Sequence, residues 1–123
     1  MSAEATTEIY TKLVHWVADT APKDWARVEI NMEMLIDEQE IANSWITRCF
    51  VGDTAEKIED YPATGLQDIQ MRNLFKELNE IASTMGNRWT VCDLVVHSDG
   101  KYTVDYLYDA PPRLSGDIVA GSQ

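Results

Sequence analysis

The residues best suited to chemistry in this chain are its carboxylates. Asp37 stands with Glu38 and Glu40, Glu59 with Asp60, and Asp105 with Asp109. Paired carboxylates divide acid and base roles when burial or a like charge drives their pKa values apart. With 21 acids in 123 residues, however, such pairs arise freely, and a solvated face is the simpler account of each. Other chemistry has little to work with. His15 and His97 are the two histidines, and Cys49 and Cys92 the two cysteines. They are too few and too scattered for a structural zinc site or an activated nucleophile. His15 falls beside an apolar helical stripe and reads as a boundary histidine; His97 falls near a turn and reads as partly exposed. No glycine-rich loop opens a helix to cradle phosphate, and no nucleophile motif occurs. The sequence therefore implies no enzyme, metal or cofactor, and turns attention from catalysis to binding.

Charge is the main compositional fact. The formal net charge is −11. Residues 1–60 hold thirteen acids and five bases, and residues 61–123 hold eight and five. Such a field repels phosphate backbones, which argues against direct nucleic-acid binding. It attracts a basic partner and speeds the encounter, although acidity also serves plain solubility. The densest stretch carries Asp37, Glu38, Glu40, Asp53, Glu56, Glu59 and Asp60 against Arg48 and Lys57. No apolar run approaches the ~20 residues of a membrane span. The start, MSAEATTEIY, has neither a basic region nor an apolar core, so no secretory signal is expected and the protein is expected in the cytoplasm with reduced thiols.

The elements that must position these residues follow from periodicity. Thr7 can cap a helix to about Thr20, with Ile9, Leu13, Trp16 and Val17 on one stripe and Tyr10 and Val14 widening it. Residues 1–6 read as a frayed end. Pro22 ends the helix. Trp25 to Leu35 alternates Ala26, Val28, Ile30, Met32 and Met34 with Arg27, Glu29, Asn31 and Glu33, the pattern of a half-buried strand. A second strand runs from about Ile41 to Val51, and residues 55–61 form a short third strand or a loop. A second helix covers about Leu66 to Met85, with Leu66, Ile69, Leu74, Leu78, Ile81, Ala82 and Met85 on its stripe.

The stretch Trp89 to Asp109 then reads as a hairpin about Asp99-Gly100. A two-residue loop there sets Val95 against Val104 and Asp93 against Tyr106. Trp89, Val91, Val95, Tyr102, Val104, Tyr106 and Tyr108 then share the core face. The same register puts Asp93 and Asp105 on opposite faces, where they cannot form one acid–base pair. Tyr106 is expected in the core, while Tyr108 and Asp109, at the strand end, are candidates for core edge or recognition surface. Residues 113–123 read as a weakly ordered tail. Helix, two or three strands, helix and two strands make one α+β domain. Its antiparallel sheet of four to five strands carries two main helices on one face.

With these elements assembled, the sequence resembles the YezG-like family of bacterial immunity proteins. The carrying segments are EIYTKLVHWVADTAPKDW, the alternating strand, the long helix ending at Met85, and RWTVCDLVVHSDGKYTVDYLYDAPP. The resemblance spans about Glu8 to Pro112 and leaves Asp37 to Asp60 unmatched. It implies an antitoxin that binds a cognate secreted toxin C-terminal domain, often a nuclease, as in contact-dependent inhibition. The unmatched acids, with Tyr108 and Asp109, are then candidate toxin contacts. The alternative is a small acidic adaptor or oligomeric scaffold, including a homodimer, paired through an edge of the second or third strand.

Overall fold

The structure is a computed structural model that describes residues 2–36, 41–52, 56–58 and 65–114. Helix α1 (Ser2–Thr20) is followed by strands β1 (Trp25–Ile36), β2 (Ile41–Val51) and β3 (Glu56–Ile58). Helix α2 (Gly65–Thr84) and strands β4 (Val91–His97) and β5 (Tyr102–Leu107) complete the order. The sheet runs β3-β2-β1-β4-β5, with every neighbouring pair antiparallel. Both helices cover one face, which is the expected α+β layering.

The longest alternating segment takes the middle of the sheet. Val28, Ile30, Met32 and Met34 of β1 are all buried beneath the helices. Leu13 and Val17 of α1 and Met71, Phe75 and Leu78 of α2 close over them, from stripes at helical spacing. Each such side chain contributes roughly 2–3 kcal/mol by leaving water. The helices run antiparallel, tied where the Trp16 indole donates to the carbonyl of Gln67 at 3.0 Å. Asn79 is the polar exception inside this core. Its Nδ2 donates to the Trp89 carbonyl at 2.8 Å and its Oδ1 accepts from Arg88, so no amide atom is left wanting. Cys49 and Cys92 are buried free thiols.

Four expectations need correction. The buried face of α2 runs through Met71, Phe75, Leu78 and Ala82, so Leu66, Ile69 and Met85 of the expected stripe are exposed instead. Helix α1 begins at Ser2, so residues 2–6 are helical, and Thr7 is no cap: its hydroxyl donates back to the Ala3 carbonyl at 3.0 Å. The hairpin loop is one residue longer than a two-residue Asp-Gly turn. His97 N–H bonds the Lys101 carbonyl at 2.8 Å, and Gly100 N–H bonds the His97 carbonyl at 2.9 Å. A two-residue type I′ loop needs positive φ at both positions. Gly100 has φ 90°, whereas Asp99 does not reach that region and its carboxylate instead accepts from the Lys101 N–H. The pairing therefore slips by one. Leu94 faces Val104 and Cys92 faces Tyr106. Cys92, Leu94 and Val96 look toward the helices with Tyr102, Val104 and Tyr106, while Val91 and Val95 look away. Finally, Arg113 and Leu114 are tied to the sheet rather than loose. Both backbone N–H groups donate to the buried Glu33 carboxylate.

Candidate functional site

The corrected register changes the carboxylate geometry first. Asp93 and Asp105 are direct cross-strand partners, on the face without helices, and not on opposite faces. They do not make a catalytic pair on that account. Asp93 accepts a hydrogen bond from the Asn31 amide at 2.5 Å, and Asp105 is exposed. Among the described residues no group of three or more His, Cys, Asp or Glu side chains could hold a metal ion. Burial pushes the Cys49 and Cys92 thiols up, against the thiolate that nucleophilic chemistry needs.

The candidate contacts separate in space. Asp37, Glu38, Glu40, Asp53, Glu59 and Asp60 lie outside the described residues. Glu56 opens β3 at one edge of the sheet, and Tyr108 and Asp109 follow β5 at the other edge. Four strand spacings lie between, about 19 Å. Tyr108 is half exposed, its hydroxyl accepting from the Asn87 amide at 3.2 Å. Asp109 is exposed, and its backbone carbonyl accepts from the Thr90 hydroxyl.

A different surface brings acids together. Along the outer seam of α1 and α2 runs a groove of about 420 Å³. Glu8 and Lys12 of α1 and Glu77 and Glu80 of α2 line it, over a floor that includes Ile9 and Ile81. It continues past Lys12 into a second hollow of about 460 Å³, with Trp16 and Leu74 below and His15 and Asp19 on its wall. The charge balance is lopsided. The Lys12 ammonium sits 3.9 Å from Glu8, and Lys76 sits 3.9 Å from Glu80. Among the described residues Glu77 has no such pairing. An apolar floor with a carboxylate rim suits a basic, partly apolar segment of a protein.

The helix-free face carries two ion pairs of its own. Arg27 pairs with Glu29 at 3.0 Å and lies over the Phe50 ring at 3.8 Å. Arg113 donates to Ser44 Oγ at 3.0 Å and Asn31 Oδ1 at 2.7 Å, and its guanidinium lies 3.2 Å from Glu33.

Sequence reasoning by local acid density missed the groove. Glu8 and Glu77 are far apart in the chain and meet through helix packing. The available signal was modest: each helix carries acids one turn apart, Glu4 and Glu8 on α1 and Glu77 and Glu80 on α2, beside its apolar stripe. No protein-family model matches the chain, and no curated protein matches it significantly.

Proposed function

We propose that this protein is an immunity protein that binds and neutralises a cognate secreted antibacterial toxin domain, a basic nuclease, by stoichiometric association in the cytoplasm of the producing cell. The observation that carries this reading is the acid-rimmed, apolar-floored groove between α1 and α2 on a body of net charge −11. A nuclease domain must be basic to hold its substrate, and an acidic body both steers toward it and competes for its cleft. The resemblance of residues 8–112 to YezG-like immunity proteins supplies the biological setting. Neutralisation proceeds by occlusion, without catalysis or a cofactor. Contacts come from the groove acids together with the acidic stretch Asp37, Glu38, Glu40, Asp53, Glu56, Glu59 and Asp60, and Tyr108 and Asp109 at the far edge.

The test is to co-express the chain with the product of the adjacent gene, purify the complex, and titrate the toxin's nuclease activity. Loss of activity at one equivalent supports the proposal. A neighbour that is no toxin, or one that stays active at saturating concentrations of this protein, removes it.

The open edge of β5 favours a second reading, a small acidic scaffold that assembles with itself. Among the described residues β5 pairs with β4 and with no strand on its other side, and such edges are templates for pairing. Charge opposes self-association here, since two copies bring −11 each. Sedimentation at several concentrations separates the two: a monomer that shifts when toxin is added supports neutralisation, and concentration-dependent self-association without a partner supports the scaffold.

A further inference from the structure

Strand β5 closes the sheet on one side, and its outer edge is a row of backbone hydrogen-bonding groups. His97 N–H bonds the Lys101 carbonyl, and Thr90 N–H bonds the Leu107 carbonyl. Thr103, Asp105 and Leu107 therefore turn their backbone groups toward β4, in the alternation of an antiparallel pair. Tyr102, Val104 and Tyr106 turn theirs the other way. Among the described residues no strand lies on that side. Three donors and three acceptors in one line are a template for an added strand.

The side chains decide which strand it suits. Asp105 is exposed in β5 and stands directly across from Asp93. Like charges directly opposed weaken a ladder. Asp93 accepts a hydrogen bond from Asn31, and among the described residues neither carboxylate is in an ion pair. Asp99 precedes β5 in the turn and Asp109 follows its end, while Lys101 is the sole lysine or arginine between Val91 and Asp109. Tyr102, Leu107 and Tyr108 leave large apolar side chains exposed along the same edge. A second copy of the chain fits badly here. Pairing two β5 edges brings two Asp93–Asp105 pairs side by side on one sheet face, at −11 per copy.

We propose that the β5 edge takes up an extended segment of a basic partner protein as an added strand, with Lys or Arg at alternate positions. The inference rests on the functional reading above in one respect, that the partner is basic. Successive side chains of an added strand fall on opposite faces of the sheet. Its cationic side chains then lie beside Asp105 and Asp93, and the intervening ones beside Tyr102 and Tyr106 on the helix side. The backbone row supplies the grip, and the carboxylate pair selects the sign of the partner's charge.

The experiment titrates ¹⁵N-labelled protein with an end-blocked peptide of alternating lysine and valine. A second peptide of the same sequence carries methyl groups on its backbone nitrogens, which removes the donors and keeps the charge. The readout is amide hydrogen exchange along β5. With the first peptide, exchange at Tyr102, Val104 and Tyr106 is expected to slow at least roughly tenfold, while Thr103 and Asp105, already bonded to β4, change little. Asp105→Lys is expected to weaken binding about tenfold without lowering the unfolding midpoint, because it relieves the like-charged pair. Exchange that does not slow in this alternating pattern overturns the proposal. Equal binding of the methylated peptide also overturns it, since charge alone then suffices. So does protection of the same amides by raising the protein concentration without peptide, which makes a second copy the occupant. A toxin that binds the parent and Asp105→Lys equally tightly overturns it too, and leaves the immunity reading standing. A neighbouring gene product that is never neutralised removes the immunity reading, and the peptide pair alone then decides the edge.

Discussion

Glu33, 1% exposed in the central strand, is held by Arg113, a residue 80 positions later. The Arg113 backbone N–H donates to one carboxylate oxygen at 2.9 Å, and the Arg113 guanidinium lies 3.2 Å from the other. Leu114 N–H adds a further bond at 3.0 Å. This cluster pins the segment that follows β5 across the helix-free face. Removing one partner of a buried pair leaves a charge without its counter-charge, which typically costs ~3–5 kcal/mol. Glu33 would keep its two backbone donors and Arg113 is partly exposed, so Arg113→Ala is expected to lose about 2–3 kcal/mol. Urea unfolding checks this: the midpoint should fall with an unchanged slope. A midpoint equal to the parent's would mean that the strap contributes nothing to stability.

The hairpin makes a second prediction. Gly100 has φ 90°, a region costly for any residue with a Cβ, yet a Cβ there would meet nothing within 4 Å. The penalty is therefore backbone strain without a clash. Gly100→Ala should destabilise by about 1 kcal/mol, and Gly100→Asn by less, because Asn tolerates the left-handed region. Thermal unfolding of both variants tests the order. Equal losses would argue that the turn had relaxed to another shape.

That same turn shows how far the sequence could be read. Periodicity gave the helix and strand order, because alternation in Trp25–Ile36 and the stripes of α1 and α2 are strong, local signals. Register was not local in that sense. Asp99-Gly100 suits a two-residue loop or a longer one with a single left-handed residue, and the choice decides whether Leu94 or Val95 pairs with Val104 and shares its face. Glu33 was legible as a polar, outward position. Its burial was not, since the covering segment around Arg113 lies outside the hairpin and has no periodicity of its own. The groove was hidden for a related reason: Glu8 and Glu77 become neighbours only through the antiparallel packing of their helices.

A third prediction follows from the groove. Glu8 is exposed, and Glu77 lies on the exposed side of α2, so reversing either charge leaves the core intact. If a basic partner docks there, Glu8→Lys and Glu77→Lys should each slow association roughly five- to tenfold at low salt, with little change in the unfolding midpoint. The deficit should shrink as salt is raised, because screening removes the field that both charges supply. Reversal of Asp37 and Glu38 provides the comparison. A partner that is insensitive to Glu8 and Glu77 and sensitive to Asp37 and Glu38 would move the interface to the acidic stretch between β1 and β3.

The last prediction concerns alkaline stability. Burial raises the Tyr10 and Tyr106 hydroxyls above the ordinary tyrosine value, and on Tyr106 the Tyr10 hydrogen bond raises it further. In the unfolded chain both titrate near pH ~10. Below that pH both phenols are neutral in either state, and the stabilisation they provide is fully present. Above it the unfolded chain releases protons that the folded chain keeps, so the unfolded state is favoured progressively as pH rises toward the folded values. Stability should therefore hold to about pH 9 and fall between about pH 10 and 12. Tyr106→Phe removes one of the two titrating groups and the hydroxyl bond, so its alkaline slope should be shallower even though its stability at neutral pH is lower. Urea midpoints across that range, together with phenolate absorbance, measure both quantities. Tyr10 and Tyr106 ionising in the native protein at the ordinary tyrosine pH would show that the hydroxyl pair is open to water.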